Sequence, residues 1–221
     1  MMRTIFLLFS LSGGLAEAAL EVPGFELVVT TPVETQLTND DLRDPVTVWK
    51  EMIAGAKKRI DLGHMYASGK EGEPLEGVIE SLEAAAARGV KIRFLLEEKM
   101  QRASIPETME RLKKIKGLEL RILAFGKVSN DGIIHAKYMI TDGGEKAFVG
   151  SQNFDWRALK HIHETGLLIS DRKIAKQIQA IFDFDWKAYD LVTKGRKVPV
   201  LNRKVVNANL KERAFLDRKS V

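Results

Sequence analysis

The chain has 221 residues, of which 45% are hydrophobic and 29% charged, with a formal net charge of +5 and no cysteine. This composition is typical of a globular protein with one sizeable core, and it excludes collagen-like, coiled-coil and disulfide-scaffold classes. Without cysteine there is no thiol nucleophile and no zinc ribbon, so the 4 histidines are the first residues to consider for chemistry.

The N-terminal segment is organised like a secretory signal. A cationic start at Arg3 precedes an apolar run over residues 5–15, and Ala16-Glu17-Ala18 forms an A-x-A cleavage site. A membrane-spanning helix needs about 20 consecutive apolar residues, and this run is shorter and is broken by two glycines. We therefore expect residues 1–18 to be a cleaved signal peptide and the mature protein to be exported, either periplasmic or secreted.

The first half of the remaining chain alternates between strand and helix patterns. A short apolar and β-branched run predicts a strand over 25–31, alternating residues predict one over 60–66, and a buried-looking run predicts one over 90–96. Apolar residues at helical spacing predict a helix that begins after Asp44 as N-cap and ends near Lys58, and a second helix over 75–88 that Gly89 ends.

The second half continues the alternation. A helix is predicted over 106–116, strands over 118–123, 133–141, 146–150 and 164–170, and a long helix over 171–189. A hairpin turn at 142–144 joins the strands 133–141 and 146–150. Strands that alternate with helices in this way predict an α/β fold with a mixed β-sheet flanked by helices on both faces, forming one domain over 19–190.

A basic tail follows from residue 191. From Lys194 to Val221 the chain has nine basic and two acidic residues, a net charge of +7, so the preceding residues sum to about −2. Such a tail suits a polyanion, either a nucleic acid or an anionic membrane surface. The alternative is a solvated tail whose charge only improves solubility.

The pattern richest in chemistry begins at His135. On a strand, His135 and Lys137 project from the same face, and the side chains that face the other way are Ile134, Ala136 and Tyr138. The neighbouring ammonium favours the neutral imidazole that a nucleophile requires, and it remains available to hold an anion.

Four further residues extend this pattern. Asp142 falls on the opposite strand face at the hairpin turn, so we expect it to brace the turn or pair with a basic neighbour. Ser151 and Asn153 share a parity and can present a hydroxyl and an amide to the same anion. Glu164 on the next strand can accept a hydrogen bond from the imidazole Nδ1 and leave Nε2 free.

These residues carry a family resemblance. His135-x-Lys137-x4-Asp142, followed by Gly150-Ser151-x-Asn153, resembles the HKD signature of the phospholipase D superfamily. The stretches 151–159 and 44–66 and the position of Glu164 are also similar to that family, and the likeness covers most of residues 26–190. Seven residues separate Asp142 from Gly150 where six are usual, which we attribute to a longer hairpin turn.

The resemblance implies a phosphodiesterase that uses no metal ion and no other cofactor. In this family a histidine attacks phosphorus, a second histidine protonates the leaving oxygen, and water then cleaves the phosphohistidine. The first role falls to His135, while Lys137 and Asn153 would neutralise charge on the phosphate oxygens and Ser151 would donate a hydrogen bond. A non-catalytic module that only binds polyanions is the alternative.

The family builds one active site from two such motifs, and this chain has one. None of His64, His161 and His163 is followed two residues later by lysine. Either two subunits form a homodimer in which the two copies of His135 face each other, or the sequence is the first half of a longer protein. The stretch 153–157 resembles the first halves of family members that have two motifs. We favour the homodimer, because a twofold pair is the commonest oligomer and suits a shared site.

The motif recognises a phosphodiester and leaves its source open between nucleic acid and phospholipid. The loops 68–74 and 125–132 have little of the apolar surface that a lipid substrate requires, and the basic tail suits nucleic acid. We therefore favour an endonuclease resembling secreted members of the superfamily, with phospholipase D activity second.

The remaining histidines and the tryptophans have simpler interpretations. His161 and His163 share a face at a spacing that could suit a metal, but without a further ligand cluster we expect rim or turn residues. His64 is interpreted as a core histidine with its hydrogen bonds satisfied rather than as a residue that lines the site. The three tryptophans are predicted to be core residues of helices: Trp49, Trp156 and Trp186.

Overall fold

The computed structural model describes residues 22–37 and 41–199. The predicted signal segment 1–18 and residues 200–221 of the basic tail lie outside these ranges. The helices are α1 (Pro45–Gly55), α2 (Pro74–Ala87), α3 (Pro106–Lys114) and α4 (Arg172–Thr193). The strands are β1 (Phe25–Thr30), β2 (Arg59–His64), β3 (Ala67–Ser68), β4 (Lys91–Glu97), β5 (Leu118–Leu123), β6 (Tyr138–Thr141), β7 (Lys146–Gly150), β8 (Phe154–Asp155) and β9 (Glu164–Ile169). Short 3₁₀ helices, Glu98–Ala103 and Phe125–Lys127, follow β4 and β5.

Seven strands form one mixed sheet in the order β1-β9-β7-β6-β2-β4-β5. β2, β4 and β5 are parallel, and the other neighbouring pairs are antiparallel. The parallel strands are connected through α2 and α3, as parallel neighbours require. β3 and β8 pair separately as a two-stranded ribbon. The predicted fold class is confirmed.

A hydrophobic cluster fills each side of the sheet. The cluster against α1, α2 and α3 contains the fully buried rings of Trp49, Phe94 and Phe148. The cluster beneath α4 contains Phe182 and Trp186. Trp49 and Trp186 are therefore core residues of helices, as predicted, and helices cover both faces of the sheet.

Trp156 differs from its prediction. It lies in the turn after β8 rather than in a helix, and its side chain is only partly buried. The Lys70 ammonium lies 4.5 Å from the centre of its ring. The mistake arose because an isolated tryptophan in a short segment carries no periodicity of its own.

Helix ends follow the predicted signals with local exceptions. The Asp44 carboxylate caps α1 by accepting the Thr47 N–H at 2.9 Å, and Pro45 occupies the first helical position. α1 ends at Gly55 rather than near Lys58, because the backbone N–H groups of Lys57 and Lys58 donate to a distant carboxylate instead of continuing the helix. At the other end of the domain, α4 runs to Thr193, so the boundary predicted at residue 191 falls inside a helix.

The predicted strand over 133–141 is wrong at its start, because β6 begins only at Tyr138. The Ile134 N–H donates to the Glu97 side chain at 2.7 Å and not to a neighbouring strand. Ala136 is exposed beside the exposed His135, so the alternation of faces predicted for this stretch does not occur. The segment 133–137 is therefore extended chain held by a side chain.

Among the described helices, none combines the length and apolar character needed to cross a membrane.

Candidate active site

The predicted functional residues collect at one end of the sheet, which we call the site end. β2 and β4 end here with His64 and Glu97, β7 ends here with Gly150, and β9 begins here with Glu164. β6 begins at the same end, directly after the segment 133–137. The sheet thus brings together side chains that are far apart in the sequence.

His135 and Lys137 lie side by side at the site end. The Lys137 Nζ is 3.0 Å from His135 Nδ1 and 3.3 Å from His135 Nε2, and it donates a 2.7 Å hydrogen bond to the His135 carbonyl oxygen. A neutral imidazole carries a lone pair on one ring nitrogen, and that nitrogen can accept a hydrogen bond from the ammonium group, which only donates. A ring nitrogen with a lone pair is what nucleophilic attack requires.

The two side chains differ in their exposure. His135 is exposed, whereas Lys137 is 6% exposed. Burial lowers the pKa of Lys137, and the nearby Glu164 carboxylate acts in the opposite direction. A partly desolvated ammonium attracts an anion more strongly than a hydrated one, because the effective dielectric constant around it is lower.

Glu164 occupies the first position of β9 and is partly buried. In the described part of the chain, His135 Nδ1 does not form the predicted hydrogen bond with Glu164. The ring contacts Lys137 instead. The physical reason is that the segment 133–137 leaves the strand geometry, so its side chains do not point across to β9 in register. Glu164 acts on the site electrostatically, through Lys137.

Ser151 and Asn153 follow the end of β7. The Ser151 Oγ accepts the Thr165 N–H at 3.1 Å and donates to the Thr165 carbonyl oxygen at 3.3 Å, which ties the residue to β9. Asn153 is partly buried, and its Oδ1 has no hydrogen-bond partner in the described parts of the chain. Ser151 and Asn153 are thus at the site end, and their joint contact with an anion stays a prediction.

Gly150 is required by close packing. A Cβ at this position would lie 2.1 Å from Gln152 Oε1 and 3.0 Å from Gly166 Cα. The Gln152 side chain is fully buried there. The Gly150 N–H also donates to the Lys137 carbonyl oxygen at 3.1 Å, which links β7 to the segment 133–137. The glycine of the motif therefore allows β7, β9 and Lys137 to approach one another.

Asp142 lies in the hairpin turn between β6 and β7, at the opposite end of β6 from His135. Its carboxylate accepts backbone N–H groups of three consecutive residues: Lys57 at 2.9 Å, Lys58 at 2.7 Å and Arg59 at 3.0 Å. Burial by itself would raise the pKa of Asp142, but these hydrogen bonds outweigh it and lower the pKa. Asp142 therefore braces the connection from α1 to β2. The sequence analysis expected it to brace its own hairpin turn or to pair with a basic side chain.

His64 is buried, but its hydrogen bonds are not satisfied as predicted. Its ring packs against Trp49, Phe94 and Phe154, with ring centres 5.5 to 5.9 Å apart. Neither ring nitrogen has a hydrogen-bond partner among the residues described. Burial, with a smaller contribution from the Lys137 charge, lowers the pKa of His64 to about 3. This neutral imidazole cannot supply a proton near neutral pH.

The other two histidines lie in the turn before β9. His161 Nδ1 pairs with the Glu34 carboxylate, and His163 is exposed. Over the described ranges, no group of three or more His, Asp or Glu side chains could hold a metal ion. Both residues therefore occupy turn positions in this structure.

The sequence analysis did not identify Glu97 as a residue of the site. It ends β4, is fully buried, and accepts the Ile134 N–H one residue before His135. A carboxylate directly after the apolar run Phe94-Leu95-Leu96 was the available signal, but only the tertiary structure shows what it contacts.

The site is open at the surface rather than enclosed. A cavity of about 770 Å³ lies at the opposite end of the sheet, beside Val90 and Gly117, and none of the predicted site residues lines it. At the site end, an exposed imidazole with a lone pair stands next to a buried ammonium. This pair can attack an electrophilic centre and hold its anionic oxygens.

A family model described as "Cardiolipin synthase, PLD-like domain" matches residues 49–186, well over half of the chain and including the whole of the HKD motif. The chain belongs to the phospholipase D superfamily. The resemblance seen in the motif is thereby confirmed.

Curated relatives and a solved structure agree with this assignment. Phospholipase D Z of Dictyostelium discoideum is 33% identical over 146 residues, which are 58% of this chain and 34% of that protein. The 5'-3' exonuclease PLD3 of Bos taurus is 26% identical over 177 residues, covering 72% of this chain and 34% of that one. Nuc from Salmonella typhimurium, a phospholipase D family member, has the same fold, with a TM-score of 0.56 at 21% identity over 74% of this chain and 95% of its own.

The chain spans about a third of the length of these curated relatives. Their names describe phosphodiester-cleaving enzymes of two kinds, one acting on phospholipid and one on nucleic acid.

Proposed function

We propose that this protein hydrolyses phosphodiesters through a covalent intermediate on His135, without a metal ion. The observation that carries the proposal is the exposed His135 imidazole, whose ring nitrogens face the buried Lys137 ammonium at 3.0 and 3.3 Å. The nucleophile and the anion-binding cation are thus close enough to contact the same phosphate group.

The reaction has two steps. A His135 ring nitrogen attacks phosphorus, the bond to the leaving oxygen breaks, and that oxygen takes a proton from a general acid. Water then attacks the phosphohistidine and gives its proton to the same group, now acting as general base, while the bond between phosphorus and His135 breaks and the phosphate monoester leaves. Lys137 and Asn153 stabilise charge on the non-bridging oxygens, Ser151 adds a hydrogen bond, and Glu164 helps to keep Lys137 protonated.

The general acid is proposed to come from a second copy of this chain. His64 is neutral and buried, and His161 is paired with Glu34, so neither is suited to the role. Beside the site end, three apolar side chains form an exposed row across neighbouring strands, since Leu27 pairs with Leu167 and Val149 with Leu167. Leu27 is 46% exposed, Leu167 39% and Val149 37%. A homodimer that covers this row would bring the two copies of His135 towards each other.

Nucleic acid is the proposed substrate, and the basic region 194–221 is proposed to bind its phosphates. The charge of this region and the presence of an exonuclease among the relatives support this choice. Phospholipid is the second candidate, because phospholipase D Z is more similar in sequence than the exonuclease. An anionic membrane surface is the corresponding partner for the basic region, and export remains the expected location.

The test compares the wild-type protein with His135→Ala on bis(4-nitrophenyl) phosphate, plasmid DNA and phosphatidylcholine vesicles, each with and without EDTA. We expect the variant to lose activity at least about a thousandfold, wild type denatured at alkaline pH during turnover to carry the substrate's phosphoryl group on His135, and EDTA to have no effect. Equal rates for the two proteins would indicate a non-catalytic binding module and contradict the proposal. Abolition of activity by EDTA would contradict the metal-free reaction.

A further inference from the structure

The segment that carries His135 lies outside the strands, and its backbone contact with β7 is at Lys137, two residues after His135. Residues 133–137 precede β6, and the loop before them contains two non-glycine residues with left-handed backbone, Asn130 at φ 46° and Asp131 at φ 73°. Such a loop needs contacts from elsewhere, because free backbone would give the His135 imidazole many orientations.

Glu97 supplies one of these contacts. Its side chain is fully buried, and its Oε2 accepts the Ile134 N–H at 2.7 Å. Its Oε1 accepts the Lys99 N–H at 3.2 Å, so both oxygens bind backbone groups. Across the described ranges Glu97 has no ion pair with a basic side chain. Its two side-chain oxygens thus accept backbone donors, one of which belongs to the residue before His135.

Lys99 supplies a second contact to the same loop. Its Nζ donates to the Asp131 carbonyl oxygen at 2.8 Å and forms an ion pair with the Asp131 carboxylate. Glu97 and Lys99 both lie where β4 passes into the following 3₁₀ helix. Two side chains from one rigid junction therefore hold the loop at Asp131 and at Ile134.

We propose that Glu97 is a positioning residue for the reaction, which fixes the backbone of Ile134 and thereby the direction of the His135 imidazole. The proposal rests on the proposed function for its kinetic consequence. Lys137 and Asn153, which would bind the phosphate, are reached by other contacts: Gly150 holds the Lys137 carbonyl, and Asn153 precedes β8. Loss of Glu97 is therefore expected to disturb the nucleophile more than substrate binding.

The experiment uses Glu97→Ala, Glu97→Gln and the exposed neighbour Glu98→Ala as matched control. For Glu97→Ala we expect kcat to fall about 100-fold with KM changed less than about threefold, because a displacement of about 1 Å costs this much in a covalent step. Glu97→Gln keeps an oxygen that can accept the Ile134 N–H, so it should recover most of kcat. Glu98→Ala should behave like the wild type.

Two readouts are independent of turnover. Hydrogen exchange of the peptide that contains Ile134 should be faster in Glu97→Ala than in the wild type and in Glu98→Ala. The rate at which diethyl pyrocarbonate modifies His135, followed by mass spectrometry, should change in the same variant. If Glu97→Ala does not fold, Glu97→Asp takes its place, because its side chain is one methylene too short to keep both hydrogen bonds.

The outcomes separate the two proposals. Unchanged exchange and unchanged His135 modification in the Glu97 variant overturn the positioning role, whatever the activity. Equal losses of kcat in the Glu97 and Glu98 variants overturn it as well. A wild-type protein that cleaves no phosphodiester, but whose Glu97 variant shows faster exchange and altered modification, would refute the proposed function and support the role of Glu97 in holding His135.

Discussion

Polar side chains in this protein are accommodated in contrasting ways. The carboxylates of Asp142 and Glu97 bind backbone N–H groups of segments far away in the sequence. His64, in contrast, is surrounded by aromatic rings and has no hydrogen-bond partner within the described residues. The first arrangement stabilises the connection between elements, and the second makes stability depend on pH.

Replacement of Asp142 should destabilise the fold without altering the nucleophile. Asp142→Ala leaves the N–H groups of Lys57, Lys58 and Arg59 without their acceptor, and we expect a loss of about 2–4 kcal/mol in the free energy of unfolding. Asp142→Asn keeps one oxygen and tolerates the left-handed backbone, φ 51°, so its loss should be about half as large. Urea denaturation measures both.

The control for Asp142 is Glu145→Ala, which removes an exposed ion pair with Arg172 from the same hairpin turn. Its effect should stay below about 1 kcal/mol. A loss for Asp142→Ala no larger than this would mean that the three hydrogen bonds do not hold the connection between α1 and β2.

His64 should make the protein less stable at acidic pH. Its pKa is about 3 in the folded state, far below the usual 6.5, so between these values the unfolded chain binds one more proton. The stabilisation is complete above about pH 6.5 and is lost as the pH falls, at about 1.4 kcal/mol per pH unit. Asp185, whose pKa burial raises to about 6, acts in the opposite direction over part of this range, so the test is the difference between two proteins. Urea denaturation at pH 7, 6 and 5 should show a steeper loss of stability in the wild type than in His64→Phe. Equal slopes would contradict the burial of a neutral imidazole.

At the scale of elements, β2 joins the two halves of the core. Ile60, Leu62 and His64 face the cluster against α1, α2 and α3, while Asp61 and Gly63 face α4. Asp61 is 1% exposed and accepts hydrogen bonds from three side chains: Arg59 at 2.9 Å, Arg93 at 2.7 and 2.9 Å, and Gln179 at 2.8 Å. This network ties β2 and β4 to α4.

Removal of Asp61 alone should lower the free energy of unfolding more than removal of both Asp61 and Arg93. Asp61→Leu leaves the half-buried Arg93 guanidinium without its main partner, so we expect a loss of about 3–5 kcal/mol in the free energy of unfolding. The double variant Asp61→Leu/Arg93→Met removes both charges and should lose less than the single variant. Chemical denaturation of both proteins checks this order. If the double variant is the weaker of the two, the pair itself is stabilising.

At the scale of the whole molecule, the proposed homodimer can be tested at the exposed apolar row. Leu167→Glu would place a charge at the centre of the row formed with Leu27 and Val149. We expect a dimer mass for the wild type by light scattering, a monomer mass for the variant, and a loss of activity that follows the loss of dimer. Ile181→Glu, at an equally exposed apolar position on α4, is the control. A monomeric wild type with full activity would refute the shared site.

The basic tail should act on nucleic acid binding alone. Val198 packs against the cluster beneath α4, so the deletion should begin at residue 200 and leave this contact intact. We expect the shortened protein to bind DNA more weakly, with a smaller dependence of affinity on salt, because fewer counterions are released. Fluorescence anisotropy at several salt concentrations measures both. No change in either would favour phospholipid as the substrate.

The sequence by itself determined the fold class, the order of the elements and the motif. Local periodicity and caps depend on neighbouring residues, so α2, β7 and β9 are found within one or two residues of their predicted limits. The sequence also predicted that His135 and Lys137 lie side by side, although the strand on which that prediction rested begins only at Tyr138.

Only the tertiary structure decided which distant groups the polar side chains contact. It began β6 only at Tyr138, gave Asp142 the N–H groups that follow α1, placed the Glu97 carboxylate against the segment 133–137, and left His64 without a partner among the described residues. The physical reason is that a hydrogen bond between strands or loops is set by sheet order and packing. These depend on the whole chain, and no local pattern of residues encodes them.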